Sequence, residues 1–597
     1  MTQGEETKAV RNDADDRGRD HAGQAIMRPV VLVGGVCIAL AAAAMIRTVS
    51  LVPHVYDDGV EACAGWLVTR GEVPYRDFYY MYGPATPYLL AAAFRVAGTS
   101  LPTMHVLEGV LLFALALSIF AFASALAGRR SALIAVPLLA AGIIRAVNVQ
   151  LPVIGALLCL VLGALAFLKR SKRGDWKRAF WPALLVGTVP LWRLDFGLYA
   201  LVGFGLAAAA LAAIAVSTRR RAAASVDNGF AEHQTSSLPA FLAGFALPTV
   251  VGLAVLLVVV PPGALFDCLV KLVFRTGKMM RLPIPAPAGN PLLLLAGPSG
   301  MKAFAVGLVN AAPLYLAGLV LAAALCTWVT ALRATVRNRV GTPGISVAAT
   351  ALLAACFGLA AYAIWRADHT HAWPVLMMAA AFLPATFAAV GSLRRHRRGA
   401  LRALGAAWLI LTVGYYAVFL TLGVADAARR FTPSLRALHM SRPTPTATDR
   451  GRRGPQLTPD MVIEYVREHV PPDAPLFSAL PSHGRALGND VTLYFLSRRR
   501  PSTYWYTFNP GVTTTAPVQS RIARDLERSG TPLVVVWRVP FPVEPNASSR
   551  SSGVHILDAY LAANYRAARD IGQYRVLTRR APSTPSRSQG TGGPVKH

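Results

Sequence analysis

Acidic residues are scarce in this sequence: 30 Asp and Glu stand against 60 Lys and Arg in 597 residues, a formal net charge of +30. Such an excess would suit a nucleic-acid partner, but the cations fall in short clusters between apolar stretches, where they report membrane topology instead. Cysteine is rarer still. The six, Cys37, Cys63, Cys159, Cys268, Cys326 and Cys356, lie in or beside apolar segments without CxxC spacing, so neither a disulfide framework nor a cysteine-ligated zinc site is indicated. No Walker loop or dinucleotide fingerprint occurs, which argues against a nucleotide-driven pump. The residues before about Arg28 mix both charge signs, unlike a cleaved secretory signal, and the first apolar span is expected to remain as an anchor.

What the chain has in abundance is hydrophobicity. Apolar residues reach 54%, far more than one soluble core requires, and the expected class is an α-helical polytopic membrane protein. Stretches long enough to cross a bilayer are expected near 29–53, 104–127, 131–148, 150–168, 179–193, 195–217, 238–261, 303–332, 344–365, 373–391 and 400–424. The stretch 84–98 opens on Pro84-Ala85-Thr86-Pro87 and is interrupted by Arg95, which suits an interfacial or re-entrant helix. With that stretch not crossing and the N-terminus inside, Arg129-Arg130, the Lys169 to Arg178 cluster, Arg219-Arg220-Arg221, Arg333 with Arg337 and Arg339, and Arg394 to Arg398 all fall on the cytoplasmic side. About eleven crossings result, with the C-terminus outside.

The same arrangement puts an unusual set of polar residues at outer span ends. They are Asp57, Asp58 and Glu61, then Tyr75-Arg76-Asp77, then Arg193 with Asp195, the Lys271 to Arg281 segment with Lys278, and Arg366, Asp368, His369 and His371. Carboxylates crowded against a bilayer are costly and usually serve a purpose. Taken singly, each is also explained as a solvated loop charge or a snorkelling side chain, but together they are expected to converge on one outer cavity.

Beyond about residue 426 the apolar spans stop. The expected domains are a cytoplasmic tail, 1–28; a membrane domain, 29–425, with the acidic motif in its outer loop 54–103; a linker, 426–457, rich in Pro, Thr and Arg; a small extracytoplasmic α/β domain, 458–580; and a Ser/Pro/Gly-rich tail, 581–597. Helices are expected over Met461 to His469, Asp490 to Arg498 and Gln519 to Ser529, and strands at Pro475 to Leu480, Leu533 to Trp537 and Tyr574 to Leu577. Asn546-Ala547-Ser548 matches a glycosylation sequon by accident of composition, and the aromatics Tyr504, Trp505, Tyr506 and Phe508 suit either packing or sugar stacking.

Several motifs carry a family resemblance: Tyr56-Asp57-Asp58-Gly59, Gly71-Glu72-Val73-Pro74-Tyr75-Arg76-Asp77-Phe78 and Tyr82-Gly83-Pro84, supported by Arg193-Leu194-Asp195-Phe196-Gly197, Arg366-Ala367-Asp368 with His371, and Leu493-Tyr494-Phe495-Leu496 near Arg500-Pro501. With these the chain resembles bacterial membrane glycosyltransferases of the GT-C superfamily, in the branch of protein O-mannosyltransferases and aminoarabinose transferases. That family commonly shows Asp-Glu where this chain has Asp57-Asp58. The resemblance implies a multi-pass protein of a bacterial plasma membrane that takes sugar from a polyprenyl-phosphate donor and passes it to a glycan, lipid or protein acceptor.

The chemistry agrees. Glycosyl transfer to a hydroxyl needs a carboxylate to receive the acceptor's proton, and Asp57 is the candidate, with Asp58 beside it. The lipid phosphate that leaves calls for cations, and Arg193, Lys278, Arg281 and Arg366 are available. Glu61, Tyr75, Arg76, Asp77, Asp195, Asp368 and His371 complete the substrate-binding set. A metal is open: Asp57, Asp58 and Glu61 could hold Mg or Mn, and His369 with His371 could admit zinc. A lipid-linked sugar flippase and a nonenzymatic envelope scaffold are the rival readings. Transporters place polar groups near the midplane and often carry inverted repeats, whereas these motifs sit at span ends.

Overall fold

The computed structural model describes residues 31–49, 54–146, 148–170, 177–221, 237–286, 297–338, 347–395, 399–439, 457–485, 488–539 and 543–580. Both expected tails, most of the expected linker and the 171–176 part of the basic cluster lie outside them. Two compact units are present: Met1–Pro443 with Glu544–Ala547, and Thr444–Val543 with Ser548–His597.

The first unit is a helical bundle, and the chain is a multi-pass membrane protein. Among the described residues eight helices are long and apolar enough to cross a bilayer, fewer than the eleven expected from hydropathy. The difference lies in three segments. The expected span 131–148 is a short helix α5 (Arg129–Ala132) followed by α6 (Ala135–Ile144), whose ten residues reach about half a bilayer thickness. The expected span 179–193 is broken into α8 (Lys177–Gly187), with Pro182 inside it, and α9 (Val189–Trp192), with Pro190 at its start. The third, α10 (Leu194–Arg221), has a described apolar portion of only Leu194–Ala207. The stretch 84–98 forms α3 (Ala85–Ala97), 13 residues ending at Gly98 with φ +87°, too short to cross.

Local chemistry sets the elements around the first loop. Helix α1 (Val31–Val49) leads to α2 (Asp57–Thr69), whose first turn carries Asp57 and Asp58 where the helix dipole favours negative charge. Helix α4 (Leu101–Ala127) starts on Ser100, whose hydroxyl accepts the Thr103 amide. Close helix approach is bought with glycine: a methyl added at Gly187 would come within 2.3 Å of the Phe245 carbonyl, and one at Gly244 within 2.4 Å of the Phe180 carbonyl, which locks α8 against Ser237–Val259. The last membrane helix runs Gly399–His439, well past the boundary expected at 425, because Asp426 is paired with Arg145 rather than solvated.

The second unit is a small α/β fold with a four-stranded sheet in the order β1 (Leu476–Ala479), β2 (Leu533–Trp537), β4 (Tyr574–Arg579), β3 (Tyr565–Ile571). The first pair is parallel, with Leu476 opposite Leu533, and the others are antiparallel. Phe477, Phe508, Ile522, Leu526, Val534 and Leu557 form its core. Phe508 therefore packs rather than presenting a sugar platform, and Tyr506 is buried too.

Candidate active site

The acidic motif is assembled on α2 and held by residues remote in sequence. The Asp57 amide donates to His54 Nδ1 at 3.1 Å, the same nitrogen stands 3.1 Å from Asp57 Oδ2, and Gln150 Nε2 donates to Asp57 Oδ1 at 2.9 Å. Asp58 turns the other way. Its Oδ2 accepts the His54 amide and lies 3.1 Å from His105 Nε2 on α4. Glu61, 2% exposed, accepts the Leu151 amide on both oxygens, 2.9 and 3.2 Å, at the first residue of helix α7 (Leu151–Arg170). Behind it Arg47 of α1 pairs with Glu108 of α4 at 3.0 Å and donates Nε–H to the Ala146 carbonyl. Apart from His105, these side chains, with Asn148 and Val149, line one pocket.

Burial raises the Glu61 carboxyl well above the ordinary range, the negative charges of Glu108, Asp58 and Asp57 push it further, and the Leu151 amide opposes them. Glu61 is thus a buried structural acid that fastens α7 to α2, rather than a solvent-facing substrate ligand.

Tyr75, Arg76 and Asp77 build the loop between α2 and α3. Tyr75 adopts φ +70°, its amide donates to the Phe78 carbonyl at 2.9 Å, and its hydroxyl donates to the Tyr82 carbonyl at 2.5 Å. Arg76 and Asp77 pair bidentately, at 2.9 and 2.7 Å, on the exposed side of the turn, and Asp77 accepts the Val73 amide. The Arg76 guanidinium is therefore committed to Asp77.

The loop then docks onto the second motif. Gly83 donates to the Trp192 carbonyl at 3.0 Å, and a methyl there would meet the Leu191 carbonyl oxygen at 2.1 Å. The adjoining Arg193 is buried and bidentate to Asp195, at 3.0 and 2.7 Å. Its guanidinium carbon lies 5.4 Å from the Tyr82 ring centre, 4.5 Å from Phe196 and 4.9 Å from Tyr362. Burial raises the Tyr82 hydroxyl, and the charge of Arg193 and the polar side chain of Gln150 beside it oppose the rise. The acidic pocket and Arg193 are thereby joined through one tyrosine.

A third group continues the chain of contacts. Tyr362, whose hydroxyl accepts from Arg193 at 3.4 Å, has its ring 5.1 Å from that of His371. His371 Nδ1 is 2.8 Å from Asp368, which caps its helix and receives Arg366 Nε–H at 2.8 Å. Burial would raise the Asp368 carboxyl, but the hydrogen bonds and charge of His371 and the charge of Arg366 outweigh it and hold it well below the usual range. Arg366 also binds Glu544, a residue of the same unit, at 2.7 and 3.1 Å, and donates to the Met280 carbonyl. Arg281 stacks 5.3 Å from the Trp365 ring, and Lys278 is exposed on the helix before it.

The donor set expected for Mg or Mn is not assembled, since Asp57, Asp58 and Glu61 face Gln150, His105 and Leu151 respectively. His369 and His371 likewise take different partners, Thr370 and Asp368. Among the described residues no group of three or more His, Cys, Asp or Glu side chains is arranged to hold a metal ion.

The sequence reading missed Arg47, His54, His105, Glu108, Asn148, Gln150, Tyr362 and Asp426. Arg47, His105 and Glu108 did carry a signal: ionisable residues inside apolar spans seldom lack a role. Gln150 carried none.

No family model matches the chain, and no curated protein matches it. Among solved structures it is similar to ArnT from Cupriavidus metallidurans bound to undecaprenyl phosphate, at 12% identity over 93% of this chain and 98% of that one, with a TM-score of 0.48. It is similar also to the oligosaccharyltransferase AglB from Archaeoglobus fulgidus in complex with an inhibitory peptide and a dolichol-phosphate, at 13% identity over 84% and 69%, TM-score 0.45. A third is the arabinofuranosyltransferase AftD from Mycobacteria, at 11% identity over 92% of this chain and 40% of that one, TM-score 0.42.

Proposed function

We propose that the chain is an integral membrane glycosyltransferase that moves a sugar from a polyprenyl-phosphate donor to a hydroxyl acceptor at the extracytoplasmic face of a bacterial plasma membrane. The observation that carries this reading is the joining of a carboxylate pocket to a buried arginine through Gln150 and Tyr82. Glycosyl transfer from a lipid phosphate needs both: a base for the acceptor and a cation for the leaving group.

In this reaction a bond forms between the acceptor oxygen and the sugar's anomeric carbon while the bond from that carbon to the phosphate oxygen breaks. The acceptor proton goes to Asp57, the more open of the two aspartates at 21% side-chain exposure against 12% for Asp58. Asp58, tied to His105 and the His54 amide, holds the start of α2 in place. The electron pair leaves on the lipid phosphate, and Arg193 and Arg366 are the cations we assign to its charge. Their forked guanidiniums suit phosphate oxygens, and aromatic packing around Arg193 keeps water away.

The test is Asp57→Asn in proteoliposomes supplied with radiolabelled undecaprenyl-phosphate sugars. Transfer is expected to fall by roughly 10²–10⁴-fold with protein levels unchanged, the range for losing a general base. Unchanged glycan output would remove Asp57 from the mechanism, and labelled carrier crossing without transfer would favour a flippase.

A further inference from the structure

The short connection between α6 and α7 contributes contacts to the acidic pocket that no motif in the sequence displays. Ala146 accepts from Arg47, Asn148 and Val149 line the pocket, Gln150 donates to Asp57, and Leu151 donates to Glu61. Asn148 holds φ +57°, a left-handed conformation that L-residues other than Asn and Asp seldom adopt. The backbone is thus turned so that three near-consecutive residues face one cavity.

We propose that Gln150 is a positioning residue for glycosyl transfer, aiming the Asp57 carboxylate and linking it to the Tyr82 ring on which Arg193 rests. This rests on the function proposed above. The carboxamide is suited to the task because it donates to a carboxylate and also meets a hydroxyl, while carrying no charge of its own. Its nitrogen lies 2.9 Å from Asp57 Oδ1 across 93 residues of sequence. It stands immediately before Leu151, the first residue of the 20-residue helix α7, so its backbone is anchored. On the other side the carboxamide lies beside the Tyr82 hydroxyl, whose proton affinity it lowers. A shift of the Arg193 guanidinium on meeting a phosphate would therefore reach Asp57 through two residues, Tyr82 and Gln150.

The charged and titratable groups around Asp57 are His54 in the preceding loop, Asp58 and Glu61 on α2, His105 and Glu108 on α4, Arg47 on α1, and Tyr82 with Arg193 beyond Gln150. Carboxylates outnumber cations among the groups that line the pocket itself. A fourth element bringing another carboxylate would add repulsion, whereas a neutral amide adds a hydrogen bond without it.

The experiment compares full-length wild type, Gln150→Leu, Gln150→Glu and Tyr82→Phe in proteoliposomes with a mixed pool of radiolabelled undecaprenyl-phosphate sugars. Gln150→Leu is expected to lower kcat by about tenfold or more while KM for the donor stays within about twofold, the signature of a group that acts on the reacting geometry and not on ground-state binding. Gln150→Glu is expected to move the acid limb of the rate profile to higher pH by about one unit, since a like charge beside the base makes it harder to ionise. Tyr82→Phe should reproduce the kcat loss in weaker form. If Gln150→Leu does not accumulate in the membrane, the isosteric Gln150→Glu profile decides. An active wild type with kcat unchanged in Gln150→Leu, or an unmoved acid limb in Gln150→Glu, overturns the positioning role alone. A wild type that transfers nothing overturns the glycosyltransferase reading, and the inference with it.

Discussion

Glu61 sits in a helix beside two other carboxylates, yet both its oxygens are spent on a single backbone amide. Its proton affinity is raised chiefly by burial and then by Glu108, Asp58 and Asp57. A carboxyl raised in the folded state gives its full contribution to stability below the ordinary carboxylate value and loses it as pH climbs through the raised value. Glu61→Gln keeps an acceptor for Leu151 and cannot ionise. Its melting temperature relative to wild type is therefore expected to rise as pH climbs above the ordinary carboxylate range, and a difference that stays flat as pH climbs would refute the assignment. Glu61→Ala, by contrast, should cost on the order of 1–3 kcal/mol at low pH by stranding the amide, and less as pH climbs and the wild-type carboxyl is forced to ionise. At this scale Asp57, Asp58, Arg193 and Arg366 were legible in the sequence because charge beside an apolar span is conspicuous. Gln150 was not, since a neutral amide 93 positions away from its partner leaves no pattern.

Among elements, the contact between the first loop and α9 is the one on which the geometry turns. Gly83 donates to Trp192 with its backbone pressed against Leu191, and Arg193 follows directly. Gly83→Ala would drive a methyl to 2.1 Å from the Leu191 carbonyl oxygen, so the two segments must separate. The substitution is expected to destabilise by roughly 1–3 kcal/mol, the usual cost of overpacking, and to depress transfer beyond what the melting shift explains. Thermal unfolding measured alongside donor turnover checks both, and full activity would show that Arg193 need not be held against the loop. Element legibility followed burial. Leu533–Trp537 was evident as an apolar run because β2 is a central strand, whereas Tyr565–Ile571 escaped notice because β3 is an edge strand with five successive exposed residues and no alternation. The preceding helix Ile556–Asn564 was missed as well. The break at Thr188, two residues before Pro190, could have been anticipated, since proline interrupts the helical ladder.

For the molecule as a whole, hydropathy shows that the chain spans a membrane but does not tell a long span from a short helix such as α6, because a helix buried in the bundle is as apolar as one facing lipid. Helix α6 illustrates this: Ala135, Leu138, Leu139 and Ile143 are wholly buried in ten residues. Sidedness is carried by charge alone. By the positive-inside rule the basic clusters that flank the spans are expected to lie inside with Arg130, which would leave the Tyr56 to Phe78 loop and the 458–580 domain outside. In a background lacking the six native cysteines, Arg76→Cys and Glu468→Cys occupy exposed positions, as does Arg130→Cys. A membrane-impermeant maleimide applied to intact cells is expected to label the first two, and to reach the third only after permeabilisation. The reasoning is strict, because Asp57 can serve an extracytoplasmic donor only if the loop that follows it in sequence is on that side. Protection of Arg76→Cys in intact cells would place the carboxylate pocket in the cytoplasm and remove the proposed donor from its reach.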